Sequence, residues 1–298
     1  MTKQALHQPV LLTQVITWLN PQPNQWYLDA TFGRGGHTKA LLDQQAKIIA
    51  FDSDLDAINY GQEKFAEAIS NNHLILIHDN FDHLKKIIEH QQLDQKICGI
   101  LFDFGTSMDQ IKIAHRGFSF NEPEAELDMR MDENLGVTAA DLLNILSVKQ
   151  MTTLFQEYGG EEQAKKIAAA INYYRGKNKE NKIETVGQLV EIINQVKTRR
   201  SHLHPATKVF QALRIAVNDE LNSIKQSLPQ ALSVLKPTGR IITIAFHEGE
   251  DRIVKHQFKN WATNKQGKIL TDKPIKPNDL EISQNPSARS AKLRVFEK

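Results

Sequence analysis

The sequence has little of several features that would place a chain in a specialised class. It contains one cysteine, Cys98, in 298 residues, so an internal disulfide framework is excluded and a reducing compartment is indicated. No apolar run approaches the roughly 20 residues of a membrane span, and the amino-terminal residues lack the apolar core of a signal peptide. We therefore expect a cytoplasmic protein without a membrane segment. Cys98 lies in the apolar run ICGILF, where a small buried hydrophobe is the expected role rather than a nucleophile.

A strong charge of one sign is also absent, because the formal net charge is only +2. The distribution is nevertheless uneven, with a balance of −11 over residues 1–162, +8 over 163–214 and +5 over 215–298. Such a sign change indicates that one region faces a polyanion. Solvated helix faces explain a run such as Arg175 to Lys182 equally well, so both interpretations stay open.

Short apolar runs alternate with amphipathic stretches in the first third of the chain, which predicts a parallel α/β sheet with right-handed crossovers. Residues of about 110–205 are instead rich in Ala, Leu, Glu, Gln and Lys at helical spacing. We therefore predict a discontinuous α/β domain, residues 1–109 and 206–298, with a helical insertion at 110–205. The predicted strands are Trp26–Ala30, Lys47–Phe51, His73–Ile77, Ile97–Phe102, Arg240–Phe246 and an edge strand in 288–298.

A glycine-rich turn follows the first predicted strand, in the segment Asp29 to His37 that reads DATFGRGGH. Glycines there allow positive φ and close approach of a ligand to the backbone, and the helix that follows offers free amide donors. The third glycine of the GxGxxG dinucleotide pattern is missing, since His37 follows Gly36. A glycine turn alone is a weak signal, but it mildly disfavours a dinucleotide cofactor.

Two further acidic residues end predicted strands. Asp52 ends the second strand, where an acidic residue accepts the ribose hydroxyls of a bound nucleoside, whereas helix capping is the competing role and suits Asp54 better. Asp103 ends the fourth strand, beside the first strand at the switch point of the sheet. There a carboxylate and a backbone carbonyl could accept the two N–H groups of an amine and orient its lone pair. A turn-forming role is the alternative for Asp103.

Taken together, the motifs resemble the RsmH (MraW) family of 16S ribosomal RNA cytosine-N4 methyltransferases nearly from end to end. The matching strings are HQPVLL at His7–Leu12, DATFGRGGHT at Asp29–Thr38, RGFSF at Arg116–Phe120, LDMRMD at Leu127–Asp132, HPATKVFQALRIAVNDEL at His204–Leu221, FHEGEDRIVK at Phe246–Lys255 and NPSARSAKLR at Asn285–Arg294. The resemblance implies a Rossmann-like class I S-adenosylmethionine methyltransferase sheet carrying the helical insertion. It also implies methyl transfer to a cytosine N4 amino group in the decoding region of 16S rRNA in the small subunit.

The resemblance also implies particular site residues. The S-adenosylmethionine site would comprise Gly35, Gly36, His37, Asp52, Phe81, Asp103 and Gln110. Asp103 and His247 are the catalytic candidates, His247 as a hydrogen-bonding wall of the pocket rather than a base. Candidates for contact with the substrate RNA are Phe104, Phe118, Phe120, Lys197, Arg199, Arg200 and Lys208, while Arg214 is expected in a buried salt bridge. No metal site is expected, and a homodimer is a further hypothesis.

The sequence departs from the family pattern mainly on the expected substrate side. The departures are Met108, Ala125, Glu126, Glu248, Gly249 and Ser287, and they leave RNA docking and rate open. One alternative is therefore a non-catalytic or redirected RNA-binding ribosome assembly factor that retains the cofactor fold. A second is an NAD-type oxidoreductase, which would need the third glycine and a hydride-handling site. Binding of S-adenosylhomocysteine but not NAD separates the methyltransferase from this rival.

Overall fold

The computed structural model describes residues 9–105, 116–177, 181–197 and 204–298. Contacts divide the chain into two compact units. The sheet unit comprises Met1–Gly105 and Leu221–Lys298, and the helical unit comprises Thr106–Glu220.

The sheet unit is built on seven strands in the order β3-β2-β1-β4-β5-β7-β6. They are β1 (Trp26–Asp29), β2 (Lys47–Asp52), β3 (Leu74–His78), β4 (Ile97–Asp103), β5 (Leu235–Ala245), β6 (Lys268–Ile269) and β7 (Lys292–Glu297). The first five run parallel, and β7 runs antiparallel to both of its neighbours. The predicted parallel α/β sheet is confirmed.

The carboxy-terminal strand lies inside the sheet, so its prediction as an edge strand is wrong. β7 pairs with β5 on one side and with the two-residue β6 on the other. Charged and apolar residues alternate in β7 because of Lys292 and Arg294, and both of these side chains form ion pairs with Asp251. The ion pair with Asp251 thus permits a charged side chain, 8% exposed at Arg294, within an interior strand.

Thirteen α-helices are assigned within the described residues. They are α1 (Leu12–Leu19), α2 (Gly36–Leu42), α3 (Leu55–Lys64), α4 (Ala66–Ser70), α5 (Leu84–His90), α6 (Ala139–Ile145), α7 (Val148–Glu157), α8 (Ala164–Gly176), α9 (Val186–Val196), α10 (Thr207–Val217), α11 (Glu220–Val234), α12 (Glu248–Thr263) and α13 (Asp279–Gln284). None of these helices combines the length and the hydrophobicity that a bilayer crossing requires.

The sheet is covered on both faces, which explains the continuous apolar runs of its strands. Phe51 and Phe102 belong to one buried cluster, with residues of α11 and α12. Ile48 and Leu101 belong to a second cluster, with residues of α1 and β7. Because neighbouring side chains of a strand point to opposite faces, both faces of β2 and β4 need apolar residues.

The helical unit has its own buried core, formed by α6 to α10. Three of its helices begin with reciprocal capping boxes, in which Thr138, Ser147 and Thr185 each exchange hydrogen bonds with a residue three positions on. These caps satisfy amide donors that would otherwise lack partners. The predicted helical insertion therefore folds around a cluster separate from those of the sheet.

The return of the chain to the sheet unit lies later than the predicted residue 206. Helix α10 packs on α6 and α7, and its Val209, Ala212 and Leu213 are fully buried in the helical core. The apolar face of α10 therefore belongs to the helical unit, and the division falls between Glu220 and Leu221.

Candidate active site

Three acidic residues meet at one edge of the parallel sheet. Asp29, Asp52 and Asp103 are the last residues of β1, β2 and β4, and β1 lies between the other two strands. Because parallel strands present their carboxyl ends at the same edge, these side chains surround the switch point of the sheet, where α/β folds bind ligands. The sequence prediction of strand-end positions for all three residues is confirmed.

The turn after β1 needs its glycines for two different reasons. Gly33 and Gly35 adopt left-handed φ values of 54° and 70°. At Gly35 an added Cβ would lie 2.6 Å from the ring of Phe65, and at Gly36 it would lie 2.4 Å from the Cγ of Pro9. The turn is therefore shaped by backbone conformation at Gly33 and Gly35 and by close packing at Gly35 and Gly36.

Asp52 ties the glycine turn to the second strand. Its Oδ2 accepts a hydrogen bond from the Gly33 amide at 2.7 Å, and its Oδ1 accepts one from the Asp54 amide at 2.9 Å. Each oxygen therefore keeps a lone pair that could accept a hydroxyl group of a ligand. Burial, partly offset by these hydrogen bonds, raises the pKa of Asp52 to about 6.

The predicted role of Asp54 as the cap of the following helix is confirmed. Asp54 is the N-cap of α3, and its carboxylate accepts the Asp56 amide at 3.0 Å. Because Asp54 satisfies the helix end, the Asp52 side chain is not needed as its cap.

Asp103 presents an acceptor that the fold leaves without a partner. Its amide donates to Thr31 Oγ1 at 2.8 Å, which fixes the end of β4 against the β1 turn. Its Oδ1 atom is enclosed and has no hydrogen-bond partner among the described residues. Burial, followed by the negative charges of Asp29 and Glu250, raises the pKa of Asp103 well above its ordinary value. An enclosed, unsatisfied carboxylate oxygen is costly and is characteristic of a functional site.

His37 is buried between the amino-terminal segment and Asp103. Its Nε2 lies 3.0 Å from the Val10 carbonyl oxygen, and its Nδ1 lies 3.7 Å from Asp103 Oδ2. The neighbouring Thr38 hydroxyl donates to Asp29 at 2.7 Å. These contacts attach the start of α2 to the strand ends. A contact of His37 with the cofactor stays a prediction.

His247 caps α12, a role that the sequence reasoning missed. Its Nδ1 accepts the Gly249 amide at 3.1 Å, and the fully buried Glu250 accepts the Phe246 and His247 amides at 2.7 and 3.2 Å. The three-residue spacing from His247 to Glu250 is the signal of a capping box, although histidine is an unusual first member. A catalytic role for His247 stays a prediction.

Aromatic rings lie beside the strand ends in the sheet unit. Phe81 begins a short 3₁₀ helix after β3, and its ring centre is 5.7 Å from that of Phe102 and 6.2 Å from that of Phe104. Phe104 is 3% exposed and belongs to the core, so this structure gives it a packing role rather than an open face for a base. Phe81 is only partly buried, as a contact with a nucleobase would require.

The described RNA-contact candidates of the helical unit have internal partners. Lys197 Nζ donates to Glu161 at 2.7 Å and to the Pro205 carbonyl at 2.9 Å. Lys208 Nζ donates to the Gly160 carbonyl at 2.8 Å. Both amines therefore anchor the turn between α7 and α8, a role that accounts for them without RNA.

The other predicted residues of this unit fall into three groups. Phe120 stacks on His204 with ring centres 4.2 Å apart, and Phe118 packs partly buried against the helical core. Arg214 forms the expected salt bridge, with Glu220, at 2.7 Å. Three predicted site residues, Gln110, Arg199 and Arg200, lie outside the described residues.

The arrangement in the sheet unit suits a nucleoside-containing ligand that also carries a positive charge. Asp52 can still accept hydrogen bonds from ribose hydroxyls. The unpartnered Oδ1 of Asp103 lies near the carboxylates of Asp29 and Glu250. This chemistry suits S-adenosylmethionine, and the chain is by its family an S-adenosylmethionine-dependent methyltransferase. Over residues 4–298 the sequence matches the family described as the MraW methylase family. The chain belongs to this family.

One curated relative supports this assignment, and two solved structures are similar to the chain. A protein named Ribosomal RNA small subunit methyltransferase H, from Dictyoglomus thermophilum, is 43% identical over 99% of this chain and 97% of its own. An rRNA methylase from Streptococcus thermophilus aligns over 99% of both chains at 10% identity and a TM-score of 0.45. A methyltransferase from Streptococcus mutans in complex with SAH aligns over 98% of this chain and 99% of its own, at 13% identity and a TM-score of 0.46. With scores below 0.5, the two structures add nothing to the family match.

Cofactor affinity is expected to depend on pH through Asp52. Hydroxyl donors stabilise the ionised carboxylate, so binding lowers the pKa of Asp52 from about 6 and releases a proton. The affinity for S-adenosylhomocysteine should therefore fall up to about tenfold per pH unit below pH 6 and level off above it. Calorimetry between pH 4.5 and 8 measures the affinity for S-adenosylhomocysteine at each pH. The Asp52→Asn variant, which cannot titrate, should lose the dependence, and an unchanged pH profile in that variant would contradict the assignment.

Proposed function

We propose that this methyltransferase transfers the methyl group of S-adenosylmethionine to the N4 amino group of a cytosine in 16S rRNA, in the decoding region of the small subunit. The observation that carries the choice of an amino group is the enclosed, unpartnered Oδ1 of Asp103 at the end of β4. An exocyclic amine offers N–H donors that such an acceptor can hold. The relative from Dictyoglomus thermophilum, by its name, supports small-subunit ribosomal RNA as the substrate.

The chain's own residues would act mainly by positioning. S-adenosylmethionine supplies an electrophilic methyl group when it is bound. Asp103 would accept one N–H of the amine, so that the nitrogen lone pair is directed along the line of transfer at about 3–3.5 Å. Its raised pKa also makes Asp103 a suitable acceptor for the proton that the methylated nitrogen loses.

The target base must leave its stack before an amino group can reach Asp103. Enzymes that act on a base within folded RNA take it unstacked and hold it against aromatic or apolar side chains. Within the helical unit, Phe118 and Phe120 are proposed contacts with the RNA, and Phe120 stacks on His204. Action in the cytoplasm and assembly as a homodimer belong to this proposal as well.

Two of the sequence departures have structural partners that limit their effect. Lys292 donates to Glu248 at 2.6 Å, so the extra negative charge is matched by a cation within the sheet unit. Ala125 is 8% exposed and belongs to the helical core. Neither position needs a new function to explain it, which supports a catalytic protein over an assembly factor without activity.

The direct test incubates the protein with tritiated S-adenosylmethionine and small ribosomal subunits from a strain that lacks this gene. We expect label in 16S rRNA, recovered as N4-methylcytidine after nuclease digestion and mass spectrometry. The Asp103→Ala protein is the matched control and should transfer far less label. If the protein binds S-adenosylhomocysteine but labels no ribosomal RNA, the proposed substrate is wrong and the assembly-factor alternative gains support.

A further inference from the structure

The positive charge of the helical unit is divided between lysines with internal acceptors and lysines without them. Lys197 and Lys208 hold a carboxylate and backbone carbonyls, as described above. On α8, Arg175 likewise points inward and donates to the Leu143 and Leu146 carbonyls at 2.6 and 3.0 Å. Basic side chains that remain available for a polyanion must therefore lie elsewhere on this unit.

The outer face of α8 provides such side chains. Its exposed residues follow the helical repeat, and the exposed set is Lys165, Lys166, Ala169, Asn172, Tyr173, Gly176 and the C-cap residue Lys177. The helix contains no Asp or Glu from Ala164 to Gly176. None of its three exposed lysines has an ion pair with a carboxylate in the described ranges, where Lys197 and Arg214 do.

An exposed aromatic ring lies on the same face. Tyr173 is 69% exposed, which is unusual for a large aromatic side chain in a helix that packs on its neighbours. The Lys177 amine lies 5.0 Å from the centre of this ring. Proteins that bind single-stranded nucleic acids combine cationic side chains, which contact the phosphates, with aromatic rings, on which the bases stack.

We propose that the outer face of α8 is an RNA-docking surface, at which Lys165, Lys166 and Lys177 contact phosphates and Tyr173 stacks on an unpaired base. The surface extends over roughly 18 Å from Lys165 to Lys177, at about 1.5 Å per helical residue, and so spans several nucleotides. The proposal rests on the proposed function in one respect, since it takes ribosomal RNA as the partner. Charge complementarity selects RNA, because the face is positive and has no acidic residue of its own.

The lysines are tested by charge removal. We expect the double variant Lys165→Gln/Lys166→Gln to bind deproteinised 16S rRNA about tenfold more weakly near 0.15 M salt, with the slope of log affinity against log salt reduced by about 1.4 to 1.8. The matched control is Lys85→Gln/Lys86→Gln, an adjacent exposed pair on α5 of the sheet unit. If both double variants change the affinity and the slope equally, or neither changes them, the docking surface is wrong.

The tyrosine is tested by a pair of variants that differ only in the ring. Tyr173→Ala should weaken RNA binding about fivefold or more, whereas Tyr173→Phe keeps a stacking face and should bind like the wild type. Equal losses in the two variants, or none in Tyr173→Ala, would overturn the stacking role.

Catalysis and docking can be separated in the same preparations. For the lysine variant we expect a higher KM for small subunits, an unchanged kcat at saturation and unchanged affinity for S-adenosylhomocysteine, because the proposed contacts bind RNA and take no part in methyl transfer. Failure of the proposed function would appear as a wild-type protein that binds 16S rRNA without methylating it. Failure of the docking surface would appear as a lysine variant that binds and methylates like the wild type.

Discussion

Replacing Asp103 with alanine is expected to lower kcat about 100- to 1,000-fold, with a far smaller change in affinity for S-adenosylhomocysteine. The reason lies in the Oδ1 atom, which is enclosed and has no hydrogen-bond partner among the described residues. If that oxygen holds the amine, its loss removes an interaction that aligns the nitrogen during transfer. A loss of about 2.7–4 kcal/mol of transition-state stabilisation corresponds to this range. Single-turnover rates at saturating cofactor and subunits measure it directly.

The Asp103→Asn variant separates orientation from titration. Its amide oxygen can still accept an N–H group, but the side chain no longer ionises. Since burial and the charges of Asp29 and Glu250 raise the pKa of Asp103, wild-type kcat should fall with decreasing pH at values well above those of an ordinary carboxylate. The asparagine variant should be slower but should lose this acid limb. Normal turnover in Asp103→Ala would exclude the amine-orienting role.

Folding provides a control for both Asp103 variants. A carboxyl whose pKa is raised in the folded state contributes stability at low pH that is lost as pH rises from the unfolded value through the folded one. Replacing Asp103 at neutral pH therefore removes an unfavourable ionisation, and the Tm should not fall below that of the wild type. A clear decrease in Tm would mean that the activity loss reflects damage to the fold.

The part of the site that lies at the strand ends could be predicted from the sequence. Asp52 and Asp103 follow apolar runs, so their meeting at one sheet edge follows from parallel topology alone. The cap at His247 was missed because its first member is histidine, although the spacing to Glu250 is the usual one. Local patterns thus identified what each strand end presents, and failed where an uncommon residue type plays a common role.

The roles of the lysines could not be read from local sequence. Lys197 and Glu161 are 36 residues apart, and Lys208 and Gly160 are 48 apart, so no local pattern reveals either partner. Nothing in the local sequence distinguishes the exposed lysines of α8 from Lys197 and Lys208, which have internal acceptors. The difference is that the α8 lysines lie on the exposed face of their helix. The position of α10 was misjudged for a similar reason, because an amphipathic helix does not specify which of two cores its apolar face joins.

Replacing Asp52 with alanine is expected to weaken the binding of S-adenosylhomocysteine about 100-fold or more. Two hydrogen bonds from ribose hydroxyls to a carboxylate contribute about 1.5–3 kcal/mol each, and tenfold in affinity corresponds to about 1.4 kcal/mol. The variant also loses the bonds that Asp52 accepts from the Gly33 and Asp54 amides, at 2.7 and 2.9 Å. A weaker affinity alone would therefore not distinguish a ribose contact from a loosened glycine turn.

A ligand that lacks one hydroxyl resolves this ambiguity. The 2′-deoxyribose analogue of S-adenosylhomocysteine should bind the wild type about tenfold or more weakly than the parent compound, because the ionised Asp52 loses one donor. In the Asp52→Ala protein the two ligands should bind alike, since no carboxylate remains to tell them apart. If the variant still prefers the parent ligand by the wild-type ratio, another group holds the ribose and Asp52 only supports the turn. The ratio of the two affinities in each protein, measured by calorimetry above pH 7 where Asp52 is ionised, therefore assigns the contact without reference to activity.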